Sequence, residues 1–134
     1  MAKALVVQTN GEVRAIELEE GSSGNTISEI VGGLFDAVGN REMNITAYVN
    51  DMGLLIKLDP NACASAIFNQ LLVGDVVICG ATDEEGYHLD LHPMFFEPEF
   101  SQYAFGMNNK PAMNEELAKL RDKIAERPFT ITSL

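Results

Sequence analysis

Ala4-Leu5-Val6-Val7-Gln8-Thr9-Asn10-Gly11-Glu12-Val13-Arg14-Ala15-Ile16-Glu17-Leu18 opens the chain and decides its fold. Two largely apolar runs, 4–8 and 12–18, flank Asn10-Gly11, the dipeptide best able to take the positive φ angles of a tight turn, and so predict a β-hairpin. The second run alternates. Arg14, Ile16 and Leu18 share one side, and Val13, Ala15, Glu17 and Glu19 share the other, so one face of the hairpin is the wetter.

Beyond the hairpin, Gly21-Ser22-Ser23-Gly24-Asn25 breaks the pattern, and Thr26-Ile27-Ser28-Glu29 has the spacing of a capping box. A helix is expected from Ile27, with Ile27, Ile30, Val31, Leu34, Phe35 and Val38 as one buried stripe ending near Gly39. Gly32 and Gly33 then fall inside it, where each costs about 1 kcal/mol relative to alanine, so they mark close packing against a strand or contact with a ligand. Residues 43–49 alternate Met43, Ile45, Ala47 and Val49 against Asn44, Thr46 and Tyr48, as a strand does. Asn50-Asp51-Met52-Gly53 turns the chain into an expected return strand, 54–58. Asp59-Pro60-Asn61 then caps a second helix, from about Ala62 to Leu72, with Ala64, Ile67, Phe68, Leu71 and Leu72 inward. Val76-Val77-Ile78-Cys79 is short, apolar and uninterrupted, the pattern of a central strand. The order is ββαββαβ: an α+β fold with a mainly antiparallel sheet and two helices on one face, plus a C-terminal helix that Asn114-Glu115-Glu116 opens and Pro128 closes.

The domain is expected to span 1–92, with 93–134, an aromatic and acidic segment followed by the last helix, packed on it. Nine basic against twenty acidic residues give a net charge of -11, which excludes a nucleic-acid binder working through a basic face. No run approaches the roughly 18 apolar residues of a membrane span, and no secretory leader precedes the hairpin, so a cytoplasmic protein without membrane association is expected. Cys63 and Cys79 sit in apolar surroundings and read as core thiols rather than a disulfide or a nucleophile. No phosphate-loop lysine follows Gly21, although the amides before the first helix could receive a phosphate.

Three groupings are candidates for function. His88-Leu89-Asp90-Leu91-His92, read as a strand, places both imidazoles and the carboxylate on one face about 6.5 Å apart, a geometry open to a divalent metal with Glu97 or Glu99 nearby, while the plainer reading is the polar face of an edge strand. From Leu58 to Asn109 there is no lysine or arginine, against eight carboxylates, a one-signed field that steers cationic partners. Six of the ten aromatic residues lie between Tyr87 and Phe105, so an acidic rim with aromatic anchors is expected to bind protein.

Lys3-Ala4-Leu5-Val6-Val7, Ile30-Val31-Gly32-Gly33, Ala47-Tyr48-Val49-Asn50 with Gly53, Asp59-Pro60-Asn61 and Gly74-Asp75-Val76-Val77-Ile78, taken in order, resemble a small domain family of unknown function found in bacteriophages, notably those of actinobacteria, and in conjugative elements. The resemblance covers about residues 3–80 and transfers no catalytic or ligand residue. It implies a phage accessory protein in the host bacterial cytoplasm. On this basis the chain is expected to act without catalysis, by stoichiometric binding of a host protein in host takeover or counter-defence, through Phe95, Phe96, Glu97, Glu99, Phe100, Tyr103 and Phe105. No cofactor is needed for that. The alternatives are an oligomeric protein that sequesters a nucleotide signal near Gly32, Gly33 and Asn61, and a metal-dependent enzyme built on His88, Asp90 and His92; nucleic-acid mimicry fits less well because the acids are scattered.

Overall fold

A computed structural model describes residues 1–126. The hairpin forms as expected: β1 (Ala2–Val7) pairs with β2 (Val13–Leu18) from Ala2 opposite Leu18 to Val7 opposite Val13. Gly11 takes φ +91° at the turn, and its N–H donates to the Gln8 carbonyl. There follow α1 (Ser23–Val31), β3 (Phe35–Asn40), β4 (Ile45–Asn50), α2 (Ala62–Phe68), β5 (Val76–Cys79), a 3₁₀ turn (Pro93–Phe96), α3 (Pro98–Asn108) and α4 (Pro111–Ala125). The five strands form one open sheet in the order β2-β1-β5-β4-β3, every neighbouring pair antiparallel.

The α+β class and the order ββαββαβ hold, but one of the five strands is not an expected one: β3 stands in place of the expected strand 54–58. The first helix stops at Val31 because Gly32, at φ +87°, takes the left-handed cap position, and the N–H groups of Gly32 and Gly33 both donate to the Ser28 carbonyl. The paired glycines therefore end the helix instead of lying inside it. Phe35 and Val38, placed by periodicity on the helix, belong to β3, and Leu34 is left exposed. The helix also begins earlier, with Ser22 and not Thr26 at its N-cap position. The expected strand 54–58 is a chain of turns: Ile56 N–H donates to the Met52 carbonyl, Leu58 N–H to Gly53, and Lys57 has φ +56°. The edge of β4 that the return strand of a hairpin would take is already filled by β3, which pairs with β4 along its length. Asn69, left-handed at φ 53°, ends α2 at Phe68, short of Leu72.

The two helices lie on opposite faces, not on one. Leu5 and Val7 of β1, Val76 and Ile78 of β5, and Ile45 and Ala47 of β4 pack with α2, the 3₁₀ turn and α3. The alternate residues Ala4, Val6, Val77 and Cys79 pack with Ile27 and Val31 of α1. This is why every side chain of β5 is apolar: the strand is third of five and fully buried, so each side chain meets a covered face. Residues 87–91 form no strand; a single bridge joins Thr82 and His88. Residues 98–108, within the aromatic and acidic segment for which no helix was expected, form α3. The final helix starts at Pro111, three residues ahead of Asn114, and its expected stop at Pro128 lies outside the described residues. Among the described residues no helix is long and apolar enough to cross a membrane.

The two glycines of α1 make opposite predictions. Gly32 has only the Asn50 side chain, 3.8 Å from an added Cβ, so Gly32→Ala is not crowded but must hold a left-handed backbone, and it should lower stability by about 1–2 kcal/mol. Gly24, inside the helix with nothing within 4 Å, should gain about 0.5–1 kcal/mol on Gly24→Ala. Urea unfolding of the two variants reads both signs, and a neutral Gly32→Ala contradicts the cap.

Candidate functional site

Two buried asparagines position the wall of the site. Asn61, the N-cap of α2, donates from Nδ2 to the carbonyls of Val7 (2.9 Å) and Gly74 (3.0 Å), and its Oδ1 accepts from Ala64 N–H (3.2 Å) and from Asn108 Nδ2 (3.0 Å). Asn108, at the end of α3, donates also to the Gln8 carbonyl (2.9 Å) and accepts from Cys63 N–H (2.7 Å). These bonds set α3 against α2 and the hairpin. At its other end the segment is fixed to β1, where Lys3 N–H donates to Asp90 Oδ1 (2.8 Å) and Leu91 N–H to the Lys3 carbonyl (2.9 Å).

Between β2 and the stretch 90–106 runs a groove. Three concavities follow one another along it: one of about 520 Å³ over Ala15, Ile16 and Phe96, one of about 400 Å³ over Val13, Ala15 and Phe96, and one of about 550 Å³ between Val13 and Phe105. The first two share Ala15 and Phe96, and the last two share Val13 and Ser101, so they form a single trough. Ala15, a small exposed residue, opens its middle. Glu12, Glu17, Asp90 and Glu97 line it against the single cation Lys3, which makes its field negative. Gly11 permits the tight docking of the hairpin turn on α3, since a Cβ there would stand 2.8 Å from Phe105 Cα.

The expected partner-binding residues divide three ways. Phe96, Glu97 and Phe105 line the groove, with Phe105 57% exposed. Phe95 is 2% exposed and packs in the core edge-on to the half-buried Phe100, 5.1 Å between ring centroids; these two fasten the segment rather than present it. Glu99 and Tyr103 are exposed outside the groove, and Tyr103, leaning on Phe100, has its hydroxyl pKa raised by partial burial and by the nearby Cys63. The opposite wall, Val13, Ala15 and Glu17, was visible in the sequence as one strand face, but only the fold shows what stands over it.

The other candidate groupings are taken apart by their hydrogen bonds. The His88 ring has Nδ1 2.9 Å from the Gly80 carbonyl, which can only accept, so Nδ1 donates there, and Nε2 is hydrogen-bonded to the Tyr48 hydroxyl at 2.7 Å. Asp90 faces the Lys3 amide, and His92 Nδ1 accepts from Met94 N–H as the cap of the 3₁₀ turn. Without the strand that would align them, the three do not converge, and among the described residues no cluster of three or more His, Cys, Asp or Glu side chains could hold a metal ion. Asn61 is 0% exposed with its donors and acceptor oxygen fully engaged, and Gly32 and Gly33 lie over Asn50, so the nucleotide-site residues do not form one pocket. The cleft at the start of α1 is lined by Glu19, Glu20 and Asp83, which repel an anion.

Sheet, groove and asparagine network define an open α+β domain covered on both faces, with an acidic trough along one sheet edge. The chain belongs to the domain family of unknown function DUF3846, which it matches over residues 1–103. No curated protein and no solved structure matches the chain. The match runs past β5 into α3, so the groove's wall falls largely within the family region.

Cys63 and Cys79 are free and fully buried, and burial pushes both thiols up to about 12. Well below pH 9 they are neutral in folded and unfolded chains alike. As pH rises from about 9 towards 12 the unfolded chain ionises first, so stability falls across that window. The urea midpoint should drop above pH 9, and less steeply in Cys63→Ala/Cys79→Ala; an identical slope would assign the loss to other groups.

Proposed function

We propose that the protein acts by occupation: it captures a cationic segment of another protein in the groove between β2 and α3, without making or breaking a bond. The observation that carries this reading is the continuity of the trough, apolar along its floor and lined by four carboxylates. Desolvated apolar contacts at the centre with charge at the rim is the arrangement in which a protein interface gains affinity from its core and specificity and on-rate from its edge. In the setting implied by the resemblance to a family of bacteriophages and conjugative elements, the partner is a host protein of the bacterial cytoplasm, and the outcome is host takeover or counter-defence.

Ala15→Arg and Phe105→Asp alter exposed groove residues and should each change stability by no more than about 0.5 kcal/mol. Both should abolish retention of the host partner by immobilised protein. Leu55→Asp and Ile56→Asp, which change exposed apolar residues lining none of the three concavities, should leave it intact. Loss with the second pair and retention with the first would overturn the reading.

A further inference from the structure

We propose that the groove takes its partner as an added β-strand, an extended segment with an apolar centre and basic flanks that pairs with the outer edge of β2. This rests on the groove reading and specifies the form of its ligand. β2 is an outermost strand, bonded on one side only. Which of its groups face outward follows from the turn: Gln8 N–H donates to the Glu12 carbonyl, so Gln8 and Glu12 are a hydrogen-bonded pair. Bonded pairs alternate along an antiparallel ladder, which makes Val6/Arg14, Ala4/Ile16 and Ala2/Leu18 the bonded ones. The same parity sends the N–H and C=O of Lys3 away from β2, and they are indeed met there by Asp90 and Leu91.

The main-chain N–H and C=O groups of Val13, Ala15 and Glu17 therefore point to the open side, and among the described residues none of them bonds to anything outside the sheet. These are the same three residues whose side chains face the trough. A strand laid beside β2 would satisfy the outward groups and drop every second side chain beneath the wall formed by Phe96 and Phe105, with the small Ala15 side chain at the centre. Main-chain bonds then supply affinity and the trough selects alternate side chains, the division seen wherever a peptide extends a sheet. Charge fixes the flanks: Glu17 and Asp90 stand at one end, Glu12 at the other and Glu97 between them, so lysine or arginine is favoured on both sides of the apolar centre.

The test uses the full chain, ¹⁵N-labelled, and the capped heptapeptide Lys-Arg-Val-Thr-Val-Arg-Lys at low salt, with Glu-Glu-Val-Thr-Val-Glu-Glu as the charge-reversed control. The basic peptide should bind saturably and slow amide hydrogen exchange of Val13, Ala15 and Glu17 by at least about tenfold, leaving Arg14 and Ile16, already bonded to β1, unchanged. Ala15→Pro removes one outward donor without touching a bond to β1 and should weaken binding by about tenfold or more. Glu17→Lys, which leaves the backbone alone, should weaken it as well, and added salt should do the same. Saturable binding without slowed exchange at those three amides, binding unaffected by Ala15→Pro in a folded variant, or no binding at millimolar peptide would each overturn strand addition. So would a free protein of twice the chain mass with the three amides already slow, because the edge would then hold a second copy. The groove reading survives these failures if Ala15→Arg and Phe105→Asp still abolish capture of the host partner, since that readout needs no main-chain pairing.

Discussion

The hydrogen bond between Asn61 and Asn108 is the constraint on which the arrangement depends. Both side chains are essentially sealed from solvent, and both are fully bonded, so the pair sits inside an apolar core without an unsatisfied group. The asymmetry of buried hydrogen bonds gives this pair its hold: an intact bond contributes modestly, but a buried donor or acceptor stripped of its partner costs about 1–3 kcal/mol. Moving α3 away would orphan the Cys63 N–H and the Asn108 side chain, and would strip one bond each from Asn61 Oδ1 and the Gln8 carbonyl, which keep Ala64 N–H and Gly11 N–H. Apolar packing alone fills volume and tolerates sliding. This network fixes one register, joining the end of β1, the turn before β5, the start of α2 and the end of α3.

With α3 held, the rest follows by packing. Phe95 and Ala104 enter the same core as Leu5, Val76 and Ile78, and Phe96 and Phe100 close over it. The aromatic and acidic segment is thereby packed into the same core, and its outer side becomes a wall of the groove. The last helix is held differently. None of its side chains is buried, and it is tied mainly through Arg121 to the carbonyls of Lys57 and Leu58 and through Asn114 Nδ2 to the Asn108 carbonyl.

Elements whose local signal agrees with the tertiary outcome were legible in the sequence. Asn10-Gly11 specified the hairpin, Asn61 the cap of α2, and the unbroken Val76–Cys79 the buried centre of the sheet. Where two signals compete, periodicity misled: Leu34, Phe35 and Val38 continue the spacing of the preceding helix, yet two consecutive glycines outweigh that spacing because Gly32 takes the left-handed cap at no steric cost. The apolar run 54–58 finds the edge of β4 already taken by β3; its residues turn, and Leu55 and Ile56 stay exposed. The stripe of α3 was hidden by its composition, since Phe100, Ala104, Met107 and Asn108 follow helical spacing but include a small and a polar residue. The groove needed two segments some 80 residues apart in sequence, and strand alternation alone could show only one of its walls.

Hydrogen exchange under native conditions tests the central constraint most directly, because the Cys63 amide donates to Asn108 and to no helix carbonyl. If the asparagine pair locks α3 to the sheet, the Cys63 amide and the amides of α3 exchange only through the same global opening as Val77 and Ile78, and in Asn108→Ala they exchange much faster while β5 remains the slowest element. A wild-type protein in which Cys63 and α3 exchange orders of magnitude ahead of β5 would contradict the account, for α3 would then open independently and the groove would have no fixed wall.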